Sequence, residues 1–216
     1  MTTIRPRLAA LLLAPLITLA AAGAAQAAKG PCPAMLPPGI HCGEPDAALA
    51  PAGAYHIDPS HTAVLARVSH IGYSYSVFRF DKVKADLVWD AAAPGKSSLT
   101  AIVEPGSVDT PVAGFAAELA GPKYLNATAF PEAKFVSTSF HKLGPTHGRI
   151  DGDLTLLGKT HKVSFDVTLT GAGPGFGHPR MGVHASAWIT PADYGLSPFF
   201  DRPIELLIDG EFEKGA

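Results

Sequence analysis

Four residues at the start of the patterned part of the chain, His56, Asp58, His61 and His70, are of the types that hold a metal ion or move a proton. A neutral imidazole ligates transition metals, and an imidazole beside a carboxylate can act as a general base. His178 and His184 lie near Arg180 in a second such group, and Cys32, His41 and Cys42 make a third that has soft ligands but no fourth member. Each group also has a plainer reading. A histidine at a strand end satisfies a backbone carbonyl or caps a turn, and two cysteines in an exported chain close a disulfide. Other chemistry has little foothold. There is no G-x-S-x-G, no H-E-x-x-H, no C-x-x-C-H and no glycine-rich phosphate loop at a strand-to-helix junction. No cysteine follows Cys42, which removes thiol catalysis from the patterned region. A Ser-His-Asp triad cannot be read from spacing, because its members meet only in space.

The elements that must position these residues are strands. VSFDVTL puts Val163, Phe165, Val167 and Leu169 on one face, with Ser164, Asp166 and Thr168 on the other. IELLIDGEF sets Ile204, Leu206, Ile208 and Phe212 against Glu205, Asp209 and Glu211. KADLVW, LTAIVE, AKFVSTSF, RIDGDLTL and MGVHASAWI alternate less strictly over similar lengths. Such alternation buries every second side chain. AAAPGKS, KLGPTHG, LLGKTH, GAGPGFGHP and TPADYG are turn signals between these runs, and they predict eight or nine strands in a sandwich or barrel. Only PVAGFAAELAGPKYL reads as helical. In SHIGYSYSVFRF, the segment His70-Ile71-Gly72-Tyr73 predicts a hairpin turn between HTAVLARVSH and VFRFDKVKADLVW, with Gly72 at positive φ.

Inward positions mix large residues with small ones such as Ala66, Ala85, Ala101 and Ala185. A closed barrel of about eight strands is just wide enough to fill with side chains or to hold one slim ligand, and small inward residues favour the ligand. On this reading Val64, Ala66, Val68, Val163, Phe165 and Val167 are the candidate channel residues.

The ends and the charge narrow the function. Arg5 and Arg7, the run LAALLLAPLITLAAAGAA and Ala25-Gln26-Ala27 have the layout of a secretory signal peptide, so 1–27 is expected to be a leader and the protein to be exported. The proline- and alanine-rich 28–53 reads as an extension in which Cys32 and Cys42 are the disulfide candidates, and 54–214 as one β domain. A formal net charge of -2 gives no basic face for nucleic acid.

Several stretches together resemble the YceI-like family. Tyr55-His56-Ile57-Asp58-Pro59-Ser60-His61-Thr62 is similar to its opening Y-x-I-D-x-x-H-S, and His70-Ile71-Gly72-Tyr73-Ser74 to H-x-G-x-S. Ser107-Val108-Asp109-Thr110 matches S-[IV]-D-T, and Phe130-Pro131-Glu132-Ala133-Lys134-Phe135 resembles F/Y-P-x-x-x-F. Gly152 to Thr160 (GDLTLLGKT) resembles G-D-L-T-[IL]-x-G-x-T. Arg180-Met181-Gly182-Val183 and Asp193-Tyr194-Gly195-Leu196 correspond to R-x-G-[FV] and D-[FY]-G-[LI].

The resemblance implies an all-β fold: an eight-stranded antiparallel lipocalin-like barrel around an apolar channel, with a short helical insertion. It implies a periplasmic, non-catalytic carrier that sequesters an isoprenoid-tailed lipid, either a polyprenol or a prenyl-quinone-like molecule, and it brings no cofactor. Other long-chain amphiphilic lipids and a membrane respiratory partner are compatible with it. The oligomeric state stays open, a homodimer among the alternatives. Arg180, Asp193 and Tyr194, from the last two boxes, are the candidates for a polar rim. Three departures from the family pattern bear on the channel. Phe78 and Ala85 stand where the family usually has glycine, and Phe115-Ala116-Ala117-Glu118-Leu119 replaces a charged R-D-x-H-L helix start. Phe78 is expected to narrow the channel. Two other readings remain open at this level: a secreted metal-dependent protein or enzyme built on the His/Asp cluster, and an envelope interaction module whose barrel is packed solid.

Overall fold

The computed structural model describes residues 32–215 except Ala34. The strands are β1 (Gly53–Ile57), β2 (Ala63–His70), β3 (Ser74–Phe80), β4 (Val83–Trp89), β5 (Ser98–Val103) and β6 (Val108–Asp109), followed by helix α1 (Phe115–Ala120). After α1 come β7 (Ala133–Lys142), β8 (His147–Leu156), β9 (Lys159–Gly173), β10 (Arg180–Ile189), the single-turn helix α2 (Pro191–Tyr194) and β11 (Ile204–Lys214).

Eleven strands make eight staves, because three staves are broken in the middle. β11 pairs through Glu205–Asp209 with β2 and through Phe212–Lys214 with β1, so β1 and β2 run on as one stave. β3 and β4 form the next, pairing with β2 and β1 respectively. β5 and β6 form the third, pairing with β4 and β3. From there the chain goes up and down, β5 to β7 to β8 to β9 to β10 to β11, every pairing antiparallel. The β1–β11 and β2–β11 pairings close the barrel, and the two-residue β6, paired with β3 alone, is the short edge that remains.

The breaks follow from local chemistry. Pro59 and Pro105 each lack a backbone donor and open a 3-10 turn, Pro59–His61 and Pro105–Ser107. The β2–β3 turn takes Ile71 (φ 55°) and Gly72 (φ 81°) into the left-handed region, and the β8–β9 turn does the same with Leu157 (φ 51°) and Gly158 (φ 74°). Two successive positive φ angles give the primed turn whose twist matches a hairpin. The segment expected to be helical from Pro111 to Leu125 is helical only over the six residues of α1, since Gly114 precedes it and Gly121 ends it.

The core lies in two stacked clusters inside the barrel. The larger gathers around α1, with Phe78, Leu119, Tyr124 and Phe200 among its members. The smaller contains Ala50, Tyr55, Leu87, Ala172, Met181 and Phe212. N-terminal to β1, residues 43–51 cross the second end. Glu44 bridges to Ala172 on β9, and the indole N–H of Trp89 donates to the Ala50 carbonyl at 3.1 Å. Cys32 and Cys42 are bonded to each other with a Cα–Cα distance of 5.7 Å. Among the described residues no helix is long and apolar enough to cross a membrane.

Candidate ligand-binding lumen

The barrel is hollow. A cavity of about 350 Å³ runs along its inside, and every stave contributes to the lining. Val64, Ala66 and Val68 line it from β2, and Phe165 and Val167 from β9. Val163 is the exception among the six expected channel residues. It is buried within the larger core cluster and does not line the cavity. Bore is left where inward positions carry little side chain, at Ala66, Ala85, Ala101 and Ala185.

The two ends differ. At the end holding α1, the rings form a chain: Phe78 to Phe115 and Phe115 to Tyr124 edge-to-face, each at 6.1 Å, and Tyr124 to Phe200 tilted at 5.6 Å between centroids. Offset and edge-on packing of this kind is favourable beyond area burial and makes a rigid stopper. Phe78, where the family usually has glycine, is both a wall of the lumen and the first ring of that stopper. The other end is bordered by Ala47 and Ala50, by Trp89, Ala91 and Pro94, and by the β7–β8 hairpin from Phe140 to Ile150. This hairpin is the polar mouth. In the sequence KLGPTHG is a turn signal alone; the flanking His141, Lys142, His147 and Arg149 mark the turn as polar without placing it at a mouth.

The three residues expected to form a polar rim do not share one. None of Arg180, Asp193 and Tyr194 lines the lumen. Arg180 begins β10 at the mouth end but alternates with Met181, which faces inward, so its guanidinium lies on the outer face. There three carboxylates hold it: Asp58 at 2.9 Å, Glu211 at 2.6 Å, and Glu213 on its other amino group. Asp193 and Tyr194 sit in α2 at the stoppered end. The Tyr194 ring packs edge-on against His161 at 5.1 Å, and its hydroxyl has no hydrogen-bond partner among the described residues. Burial, helped by the Asp193 charge, pushes that phenol up to about 12.

The histidine and aspartate cluster is dispersed as well. His56 contacts Asp86 at 2.6 Å, His61 contacts Asp58 at 2.8 Å, and His70 stands at the far end of the barrel beside the β2–β3 turn. His184 pairs with Asp209 on the outer face. Among the described residues no three His, Cys, Asp or Glu side chains gather as a metal site. Asp58 has a structural role. It accepts from the Ser60 N–H at 2.9 Å, fixing the 3-10 turn between β1 and β2. Burial opposes its charge, but hydrogen bonds from His61, Arg180 and Ser60 outweigh that and hold the carboxyl well below the usual carboxylate range. The same contact raises the His61 imidazole above its ordinary value.

Residues 55–212 match the sequence profile of the YceI-like domain. A UPF0312 protein of Pseudomonas putida (strain W619) is 33% identical over 153 residues, 69% of this chain and 80% of that protein. One from Shewanella sp. (strain W3-18-1) is 33% identical over 150 residues, 68% of this chain and 78% of its own. Among solved structures, Burkholderia cenocepacia BcnA superposes with a TM-score of 0.65 at 20% identity, covering 72% of this chain and 98% of BcnA. A polyisoprenoid binding domain from Saccharophagus degradans superposes at 0.58 with 13% identity, covering 74% and 98%. At these identities the structures establish a shared fold.

Proposed function

The chain belongs to the YceI-like family, and from that premise we propose that it is a periplasmic carrier which sequesters the tail of an isoprenoid lipid in its lumen. One observation carries the reading: the closed barrel encloses an apolar cavity of about 350 Å³, stoppered by aromatic rings at one end and open toward a polar hairpin at the other. That volume lies in the range of small-molecule sites, toward its lower end, which suits one slender chain. Binding needs no special chemistry. Each methylene moved from water to the lumen contributes about 0.8 kcal/mol, so a few isoprene units supply useful affinity. Val64, Ala66, Val68, Phe165 and Val167 are the proposed tail contacts. The mouth faces water and would hold the head group.

The reading is of binding, not catalysis. It is supported by a lining whose side chains are apolar except for Thr62 and the mouth hairpin. The polyisoprenoid-binding function of the Saccharophagus degradans domain, carried on the same fold, supports the ligand class. Export to the periplasm rests on the leader-like 1–27, which lies outside the described residues.

The test is saturable uptake. Delipidated protein titrated with farnesol, a polyprenol and a short-chain ubiquinone should bind at least one of them at a one-to-one ratio. Lipid extracted from protein purified out of its host periplasm should contain a prenyl chain. Absence of uptake for all three overturns the proposal.

A further inference from the structure

The ionisable residues lining the lumen are His141, Lys142, His147 and Arg149, all from one hairpin, and no carboxylate lines it among the described residues. Their positions on the ladder separate them. Lys142 lies opposite Gly148 and Phe140 opposite Ile150, while His141 lies opposite Arg149. Strand alternation therefore puts Lys142 in the inward row with Phe140 and Ile150, and puts His141, His147 and Arg149 in the outward row with Asp151.

The outward row is internally compensated. Asp151 is contacted by His141 at 2.8 Å and by Arg149 at 3.1 Å, and it accepts from Ser139 at 3.2 Å and from Ser164 at 2.6 Å. On the opposite lip, Asp90 is occupied by the backbone N–H groups of Ala92 and Ala93, and Asp46 by that of Ala48. Lys142 is exposed and makes no ion pair with a described residue. Among the described residues that line the lumen, Lys142 is thus the one lysine or arginine without a carboxylate partner, above an apolar bore and in the same hairpin as Thr146 and His147.

We infer that the lumen selects an anionic amphiphile, its chain inside the barrel and a carboxylate or phosphate head group on the Lys142 ammonium. The inference rests on the carrier reading and specifies its head-group chemistry. A neutral alcohol would bury the same chain and leave the ammonium without a counter-charge. A charge-assisted hydrogen bond at a partly solvated mouth should favour the anionic ligand by about three- to tenfold at low salt. The preference should shrink as ionic strength rises.

The experiment uses two matched pairs on delipidated protein, farnesyl phosphate against farnesol and palmitate against hexadecanol, at 20 and 500 mM NaCl. At least one anionic member should bind more tightly than its neutral partner at low salt. The pair that shows the difference identifies the head group as phosphate or carboxylate. In Lys142→Ala the ratio should fall toward one, and in Lys142→Glu below it. Lys84→Glu, on an exposed β4 position outside the lumen, should keep the full ratio. Ratios of one in the unmodified protein, or a Lys142→Glu ratio unchanged from it, overturn the inference while leaving the carrier reading standing. No uptake of any of the four ligands overturns the inference, and if the polyprenol and the ubiquinone also fail to bind, the carrier reading falls with it.

Discussion

Asp58 and Arg180 are 122 positions apart in sequence and meet at 2.9 Å. The contact ties the break between β1 and β2 to the start of β10, at the seam where the last stave closes on the first. Both residues come from the family's recurrent boxes, and both act on the barrel wall instead of the bore. Their position sets a charged cluster on the outer wall apart from a bore that, Thr62 and the mouth hairpin excepted, is lined by apolar side chains.

The first prediction concerns that clamp and pH. The Asp58 carboxyl titrates well below its unfolded value. Its stabilisation is therefore complete above the unfolded pKa of about 4 and is lost as pH falls through the lower, folded one. Asp58→Asn leaves Arg180 with two carboxylates and should cost about 2–4 kcal/mol at pH 7. Urea unfolding from pH 7 down to pH 2 should show the difference from the unmodified protein narrowing below about pH 4. His61 has the opposite sign. Its contribution is full below about pH 6.5 and fades as pH rises through its raised pKa. A difference between the two proteins that stays constant down to pH 2 would show that the carboxylate charge is not what stabilises the seam.

A second prediction comes from the stopper. Phe78→Ala removes a ring that both lines the lumen and packs on Phe115. It should destabilise by about 3–5 kcal/mol, as large-to-small changes in a packed aromatic cluster do. The bore would then run on toward α1, so the preferred chain length should increase. Competition between prenyl alcohols of increasing length checks this. An unchanged length preference would place the end of the bore elsewhere.

Gly152 gives a third. A Cβ there would lie 2.4 Å from Cζ of Phe135 and 2.5 Å from the Val136 carbonyl oxygen. The Phe135 ring lies across the bare backbone of β8 and packs edge-on against Phe165 at 5.1 Å. This is the physical reason for glycine at the head of GDLTLLGKT. Gly152→Ala forces both the ring and the Val136 carbonyl to move and should cost about 1–3 kcal/mol by thermal or urea unfolding. Wild-type stability in this variant would mean that the Phe135 ring swings away and the β7 backbone at Val136 shifts at little cost.

How legible all this was differs from element to element. The inward parity of Val64, Ala66 and Val68 was readable because strand period is two and these runs are apolar on one side. Alternation gave eight or nine strands and the family resemblance eight, but the breaks at Asp58–Thr62, Phe80–Val83 and Glu104–Val108 were not readable, since a broken stave keeps the alternation on both sides. The rim was misplaced for a different reason. A charged residue in a recurrent box carries no label saying which face of the wall it occupies. Arg180 faces outward because it shares its row with His184 and Ser186, while the apolar row of Met181, Val183 and Ala185 takes the inward place. The mouth was overlooked because turn residues such as Gly144 and Pro145 signal a turn and say nothing of what it surrounds. That depends on barrel closure, a property of pairings between β1 and β11 more than 150 residues apart.

The last prediction separates a hollow barrel from a solid one. Ala185 sits in the middle of β10, opposite Val167 on β9 and Ile208 on β11, and all three side chains line the lumen. In a barrel packed solid, Ala185→Leu would insert a branched side chain into filled space and destabilise by about 1–3 kcal/mol. In a hollow one the added carbons occupy the cavity and gain contacts, so stability should hold or rise. Binding should move the other way. The leucine takes the place of at least two methylenes of ligand, which at about 0.8 kcal/mol each predicts a loss of affinity of about tenfold or more. Measuring unfolding and prenyl-alcohol uptake on the same variant gives a joint signature. Stability kept with uptake lost identifies a working lumen. Stability lost in protein free of ligand would identify a barrel interior that is already full, and would remove the physical basis for a carrier.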